Sequence, residues 1–235
     1  MRRLWAGLLA SSAMGAMGSA AWAAELPSWS GFYLGGHGGL RWAGADLTTG
    51  AYVIPGFSFS VPARSESFHP ASGIFGLHGG YNYQFNPNWL MGIETDLSWG
   101  NGSFVVNDGQ SGLRGRTSTV ELGWQASVRG RLGWISGPFL FYGTGGVAFT
   151  RAEWNETWVD LGGGPTSVST SKTLTGWTVG FGVDHLYPTG WLIRAEYLYA
   201  DYGNFSVPLV FTSMTGKIGI TTHVMRAGVS YKFGP

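Results

Sequence analysis

Residues 89–99 read WLMGIETDLSW and alternate between a mainly apolar face and a face that carries the charges. One face carries Trp89, Met91, Ile93, Thr95, Leu97 and Trp99, and the other carries Leu90, Gly92, Glu94, Asp96 and Ser98. Only a strand collects both carboxylates on one side, because its successive side chains point to opposite faces, whereas a helix spreads them around its axis. At about 11 residues, the run exceeds a common soluble strand of five or six residues and suits a tilted strand that crosses a membrane.

The same alternation recurs along the chain. It is clearest in residues 120–134, where Glu121, Arg129 and Arg131 share one face and Leu122, Trp124 and Leu132 share the other. Further candidate strands are residues 31–42, 73–85, 139–149, 177–186, 191–200 and 223–233. Residues 139–149 are apolar on both faces, so their orientation stays open. The pattern predicts eight strands in total.

The connections between these strands alternate in length. Residues 86–88, 135–138 and 187–190 are short and rich in Pro, Asn and Gly, which are typical of tight turns. Residues 43–72, 101–117, 150–176 and 203–222 form long polar connections. This alternation predicts an all-β fold, an eight-stranded antiparallel up-and-down transmembrane β-barrel with short periplasmic turns and long extracellular loops.

Six tryptophans mark the ends of the candidate strands. Trp89, Trp134 and Trp191 fall at the short-turn ends, and Trp42, Trp99 and Trp177 fall at the long-loop ends. Two such rings are typical of the aromatic girdles that sit at the headgroup levels of a membrane. The alternative is a secreted β-sandwich with a tryptophan core, but its solvent-facing sides would need more charge.

Composition excludes several classes of protein. Only 11% of the residues are charged, compared with about 25% in soluble domains, and glycine is unusually frequent at 40 of 235. The absence of cysteine excludes disulfide scaffolds and thiolate metal sites. A net charge of +1 argues against a nucleic-acid partner, which would require a basic face.

The amino-terminal residues are typical of an export signal. Arg2 and Arg3 precede a weakly apolar stretch, and Ala21 and Ala23 form a small-x-small cleavage site. The alternative is a short buried helix. The sequence therefore predicts a cleaved signal peptide at 1–23 and a barrel domain at 24–235.

Most charges outside the long loops fall on the inward faces of the strands. The predicted lumen network consists of Arg41, Glu94, Asp96, Glu121, Arg129, Arg131, Asp184, Arg194, Glu196, Arg226 and Lys232. An eight-stranded barrel is just wide enough to be filled by side chains, and unpaired ions are costly in such a space. We therefore expect a salt-bridged plug, with a narrow charge-lined conduit as the alternative. A diffusion porin would need about 16 strands, more than this chain can supply.

Signals for catalysis and ligand binding are weak. Glu94 and Asp96 could form an acid/base pair, but the adjacent Arg129 and Arg131 favour a salt-bridge role for both. His37 and His78 face inward on neighbouring strands and form a candidate ligand pair, although hydrogen-bonded histidines are much commoner. We expect neither an enzyme nor a bound cofactor or metal.

Several ordered motifs resemble one protein family. They are residues 29–36 (WSGFYLGG), 92–99 (GIETDLSW), 128–133 (VRGRLG), 142–149 (YGTGGVAF), 176–180 (GWTVG) and 196–203 (EYLYADYG). Residues 226–233 (RAGVSYKF) are similar to the carboxy-terminal strand signal read by the outer-membrane assembly machinery, although Gly234 and Pro235 follow Phe233. The family is the small outer-membrane β-barrel proteins of Gram-negative bacteria, the porin-family or surface-antigen type related to the OmpA transmembrane domain.

The resemblance implies an integral outer-membrane protein in contact with lipid and lipopolysaccharide. It implies structural, antigenic or adhesive roles, and haem binding in some members. We therefore expect a monomer that supports envelope integrity and surface interaction through its loops. The alternatives are a narrow channel or uptake protein for haem or small solutes and, third, an outer-membrane enzyme acting on lipid or peptide.

Overall fold

The computed structural model describes residues 28–49, 52–53, 60–61, 64–68, 71–100, 102–106, 117–159, 164–208 and 215–234. Eight long strands run through this part of the chain. They are β1 Gly31–Thr49, β2 Ala71–Asn86, β3 Trp89–Gly100, β4 Thr117–Ser136, β5 Phe139–Val159, β6 Pro165–Leu186, β7 Trp191–Pro208 and β8 Thr215–Phe233. The expected signal peptide at 1–23 lies outside the described residues.

The eight strands close into a barrel. Each pairs antiparallel with its neighbour along the chain, and β8 returns to pair with β1, from Phe32 opposite Phe233 to Thr48 opposite Lys217. Arg64–Phe68 adds to the outer end of β1, Gly102–Val106 adds to β4, and Tyr52–Val53 pairs with Ser60–Val61. This confirms the eight-stranded antiparallel barrel. The described residues contain no helix that is long and apolar enough to cross a membrane.

Three tight turns join strands at one end of the barrel. They lie between β2 and β3, between β4 and β5, and between β6 and β7. Gly137 and Gly190 have φ values of 58° and 85° in the second and third turns, a left-handed conformation that favours glycine. The short periplasmic turns fall where the sequence places them.

The strands are longer at the other end than the sequence predicts. β5 and β6 stay paired up to Val159 opposite Pro165, so most of the expected loop 150–176 is a two-stranded extension of the barrel. Paired strands satisfy their own backbone hydrogen bonds, so such an extension can form in water above the membrane. Residues 165–175 are rich in Ser and Thr and show no apolar alternation, which is why the sequence pattern predicts a loop there.

Side-chain burial follows a two-residue period along the central parts of the strands. On β5, Leu140, Tyr142 and Ala148 are buried inside the barrel, while Phe139 and Phe141 point outward. This settles the orientation of residues 139–149, which the sequence leaves open.

One charged residue faces the opposite way from the prediction. Leu122 pairs with Ala152 while Gln125 pairs with Thr150, so β4 contains one more residue than β5 between these two pairs. Such a β-bulge shifts the alternation by one position. Leu122 is therefore buried and Glu121 is exposed on the outer surface, and the inward assignment of Glu121 was wrong.

Arg41 holds this bulge from across the barrel. Its guanidinium donates hydrogen bonds to the carbonyl oxygens of Leu122 at 2.9 Å and Gly123 at 3.4 Å. Arg41 is thus buried as expected, but its hydrogen bonds go to backbone carbonyls at the bulge.

Candidate functional site: the barrel interior

The interior is built in layers along the barrel axis. Near the short turns lies an apolar cluster of Trp29, Tyr33, Leu90, Ile135, Leu140, Tyr142, Leu186 and Leu192, here called the lower layer. Toward the long strand extensions lies a second cluster of Ala43, Leu122, Ala148, Ala152, Leu174, Ala200, Tyr202 and Ile220, here called the upper layer. A layer of ions lies between them.

Glu94 is at the centre of the ionic layer. Its Oε1 accepts from the Arg129 guanidinium at 2.5 Å, and its Oε2 accepts from Arg194 at 2.6 Å and from the Tyr33 hydroxyl at 2.6 Å. Arg131 lies 3.4 Å from the same Oε2. Groups from β1, β4 and β7 therefore converge on one carboxylate of β3.

The other three carboxylates are engaged in the same way. Asp184 pairs with Arg131 at 2.7 Å and with Arg194 at 2.9 Å. Glu196 pairs with Arg226 at 2.6 Å and with Arg129 at 3.0 Å. These contacts link β4, β6, β7 and β8 across the lumen.

Asp96 completes the layer. It pairs with Arg129 at 3.0 Å and with Arg226 at 3.3 Å, and it accepts a hydrogen bond from Ser127 at 2.5 Å. The network thus joins four carboxylates, Glu94, Asp96, Asp184 and Glu196, to four guanidiniums, those of Arg129, Arg131, Arg194 and Arg226. All eight are buried and the opposite charges balance, which is the condition under which ions survive in a low-dielectric interior.

Two tyrosines that the sequence pattern did not single out contact the ionic layer from below. Tyr142 donates a hydrogen bond to Glu196 at 3.1 Å, and its ring lies 3.9 Å below the Arg131 guanidinium. Tyr33 accepts from Arg131 at 2.9 Å while it donates to Glu94. Each ring faces the apolar lower layer and each hydroxyl faces the ions, so the tyrosines join the two layers.

Lys232 faces inward but lies at the short-turn rim. Its Nζ donates hydrogen bonds to the carbonyl oxygens of Ser30 at 3.2 Å and Gly234 at 3.0 Å. Of the eleven residues predicted for the network, the structure therefore brings eight together, places Arg41 and Lys232 at other heights and puts Glu121 outside.

His37 and His78 meet inside the barrel, beside the ions. Their Nδ1 atoms are 3.1 Å apart, His37 Nε2 lies 2.8 Å from Ser98 Oγ, and His78 Nε2 lies 2.7 Å from Ser230 Oγ. The ring centroids are 5.4 Å apart. This distance exceeds the Nδ1–Nδ1 distance by about two ring radii, as it does when both Nδ1 atoms lie between the rings and point at each other. Opposed lone pairs suit one shared proton, whereas a metal requires ligand lone pairs that converge on a common point. Among the described residues, no group of three or more potential ligands is arranged around a metal position.

The six tryptophans lie where the membrane boundaries are expected. Trp89 and Trp134 are directly paired at the short-turn end, and Trp99 lies at the other end of β3. At about 3.3 Å per residue and a tilt of about 40°, the stretch between Trp89 and Trp99 covers about 25 Å along the membrane normal, the height of the apolar band of outer-membrane barrels. Trp177 and Trp191 are also exposed on the outer surface, and Trp42 is half-buried there.

Comparison with known proteins supports the assignment of this fold. A family model described as the outer membrane protein beta-barrel domain matches residues 6–233, nearly the whole chain. The chain belongs to this family. It is similar to the 31 kDa outer-membrane immunogenic protein of Brucella melitensis, with 32% identity over 214 residues that cover 88% of this chain and 84% of the relative. The family member described here is therefore an outer-membrane protein.

Two solved structures share the fold. The outer membrane protein OprG of Pseudomonas aeruginosa matches with a TM-score of 0.55 and 16% identity, over 88% of this chain and 97% of OprG. The outer membrane protease OmpT of Escherichia coli matches with a TM-score of 0.51 and 10% identity, over 86% of this chain and 97% of OmpT. At these identities the likeness concerns the barrel architecture alone.

Proposed function

We propose that this family member is a closed, non-catalytic outer-membrane barrel that supports the envelope and presents its extracellular strand extensions and loops to the surroundings. The observation that carries the proposal is the layered interior, in which a balanced ionic layer lies between two apolar layers. An open channel would require a continuous wet path, and the apolar side chains clustered above and below the ions interrupt it.

The ionic layer argues against conduction in a second way. Each carboxylate contacts at least two guanidiniums, and Glu94 contacts Arg129 and Arg194 at no more than 2.6 Å. An ion passing through would have to separate such pairs, and separating buried pairs costs several kcal/mol. The fixed charges therefore act as crosslinks between strands.

The same contacts argue against catalysis. A general acid or base must be free to exchange a proton with a substrate, but Glu94 and Asp96 are buried and fully engaged with guanidiniums. The fold shared with OmpT does not change this argument, since one barrel architecture hosts unrelated functions.

The outer surface supports the second part of the proposal. A relative named as an outer-membrane immunogenic protein indicates that this kind of barrel is exposed to the exterior. The tryptophan girdles would contact lipid and lipopolysaccharide. The strand extensions of β5 and β6 would project beyond the girdles and form the surface through which a monomeric barrel interacts.

Conductance measurements test the closed barrel. The refolded protein in planar bilayers at neutral pH should give no steady conductance, while a general diffusion porin in the same bilayers serves as the positive control. A strong, reproducible conductance would replace the structural function with the narrow channel. Analysis of lipid A from a deletion strain tests the enzymatic alternative, and an altered lipid A restored by the intact gene would contradict the proposal.

A further inference from the structure

We propose that the His37–His78 pair binds a single additional proton and that acid unlocks the closed interior at this point. The proposal rests on the closed barrel argued above and goes beyond it, because it names the group through which the interior opens.

The hydrogen-bond partners favour one arrangement of protons on the two rings at neutral pH. Arg226 lies 3.4 Å from His37 Nε2 and can only donate, which favours this nitrogen as an acceptor. His37 therefore carries its proton on Nδ1 and donates it to His78 Nδ1. His78 then carries its own proton on Nε2 and donates it to Ser230.

An extra proton has one place to bind. On His78 it would have to sit on Nδ1, directly against the Nδ1–H of His37 at 3.1 Å. On His37 it would sit on Nε2, where the Ser98 hydroxyl can turn to accept a hydrogen bond. The pair therefore takes up one proton and not two, as expected for two strongly interacting sites.

A small cavity lies beside the two partners of this nitrogen, Ser98 and Arg226. It has a volume of about 10 Å³, and its lining combines polar side chains, among them Asp96, Ser98, Gln125 and Arg226, with the apolar Ile74, Leu198 and Val224. A space of this size holds about one water molecule, and four polar side chains are sufficient partners for it. Gln125 lies next to the bulge on β4, so the cavity lies on the upper side of the ionic layer.

The new charge acts on Arg226. Protonated His37 would place two positive groups 3.4 Å apart, although Arg226 also holds Glu196 at 2.6 Å and Asp96 at 3.3 Å. Repulsion weakens both ion pairs and upsets the balance of the ionic layer. Water then enters the ionic layer, and the lumen conducts once this hydration spreads past the apolar side chains on either side of it.

The other charged groups around the pair come from three strands. Glu94 and Asp96 of β3 and Glu196 of β7 favour an added proton, while Arg194 of β7 and Arg226 of β8 oppose it. Tyr33 of β1 lies beside the His78 ring, with the two centroids 6.5 Å apart. The carboxylates are already paired with arginines, and Arg226 is the charged group that lies against His37 itself, at 3.4 Å.

The first test compares conductance at pH 7.5 and pH 4.5 in the same bilayers. Wild type should be closed at pH 7.5, and its open probability should rise at least tenfold at pH 4.5. The double variant His37→Gln/His78→Gln, which cannot take up the proton, should stay closed at both pH values. The control His223→Gln removes a histidine that lies on the outer surface, bonded to Tyr197, and should open with acid as wild type does.

The second test follows the wild-type histidines directly and does not depend on a variant that folds. Nitrogen-15 NMR of labelled histidine in lipid nanodiscs should show one proton arriving at His37 Nε2 while His78 keeps its tautomer. Stability offers a further measurement. Histidines in the unfolded chain bind protons below about pH 6.5. Where the unfolded chain binds one proton more than the folded barrel, the folding equilibrium constant should fall about tenfold for each unit by which the pH is lowered.

Each contrary result has a distinct meaning. Conductance of wild type at pH 7.5 would overturn the proposed closed barrel. Wild type that is closed at both pH values would overturn the acid response alone. Acid opening of the double variant would assign the response to the carboxylates, and independent protonation of both histidines would exclude a one-proton pair.

Discussion

The middle of the interior and its two ends are stabilised in different ways. In the ionic layer, every group depends on partners from other strands, and Glu94 alone joins Tyr33, Arg129 and Arg194. In the apolar layers, residues such as Leu90 and Leu122 contribute by filling volume. Removing one ion therefore leaves a charge without a partner, whereas shortening one leucine leaves only a space.

The largest effect is expected from breaking the ionic layer. Arg129→Ala/Arg131→Ala removes contacts to all four carboxylates and should lower the free energy of unfolding by about 3–5 kcal/mol, because the orphaned charges must recruit water or protons. The remaining inward charge is negative, so the variant should conduct cations. Urea unfolding and single-channel recording measure both effects.

A charge-balanced variant is the control for this experiment. Adding Glu94→Gln and Asp96→Asn to the double variant should restore part of the stability and reduce the leak. An unchanged leak after this rescue would mean that lost packing, and not unpaired charge, opens the lumen.

The next effect is expected from the apolar layers. Leu90→Ala should cost about 2–5 kcal/mol, because Leu90 is 0% exposed and its removal adds a cavity to the lost transfer energy. The matched control is Leu77→Ala on the lipid face, where Leu77 is 58% exposed and lipid can fill the space, so only the transfer energy is lost. Equal losses in urea unfolding would show that the lower layer is loosely packed.

A charge on the lipid face should be costly for a different reason. Ile93→Arg places a cation in hydrocarbon near the middle of β3 and should cost about 2–4 kcal/mol. The control is Ile93→Thr, which adds polarity without charge at the same position and should be better tolerated. The next residue, Glu94, points the other way, toward the ions. Stability that is insensitive to Ile93→Arg in vesicles would place this residue outside the hydrocarbon.

The smallest effect is expected from an exposed ion pair. Arg151 contacts Glu153 at 2.8 Å on the outer surface, with side chains 47% and 37% exposed. Water and salt screen such a pair, so Arg151→Ala should change the free energy of unfolding by no more than about 1 kcal/mol. A loss as large as that for Arg129 would mean that burial does not determine the strength of these pairs.

The inward faces could be predicted as far as the two-residue period held. Glu94, Arg129 and Arg194 follow it, because burial on one side of a strand imposes the pattern locally. Glu121 does not, since the bulge at Gly123 and Trp124 inserts one residue, and no local composition marks the insertion. The bulge is a mismatch with the partner strand, and Arg41, which bonds to it, lies far away in sequence.

The two-residue period could not predict the contact between His37 and His78 either. Alternation places both side chains inside the barrel, but the ring orientation depends on Ser98 and Ser230, which bind the outer nitrogens. The layered order of the interior has the same origin. Barrel closure and strand stagger decide which inward residues reach the same height, and neither quantity can be read from a single strand.

The ionic layer also has a consequence for the order of assembly. Arg226 lies on the last strand, β8, and reaches Asp96 of β3 only after β8 has paired with β1. Arg194 of β7 reaches Glu94 of β3 under the same condition. An unclosed sheet that entered hydrocarbon would carry a row of half-solvated guanidiniums and carboxylates on one side. Insertion before closure is therefore uphill, and β8 should join β1 while the sheet is still sheltered from lipid. The ions that stabilise the finished barrel would thus also keep partly assembled chains from inserting into the membrane.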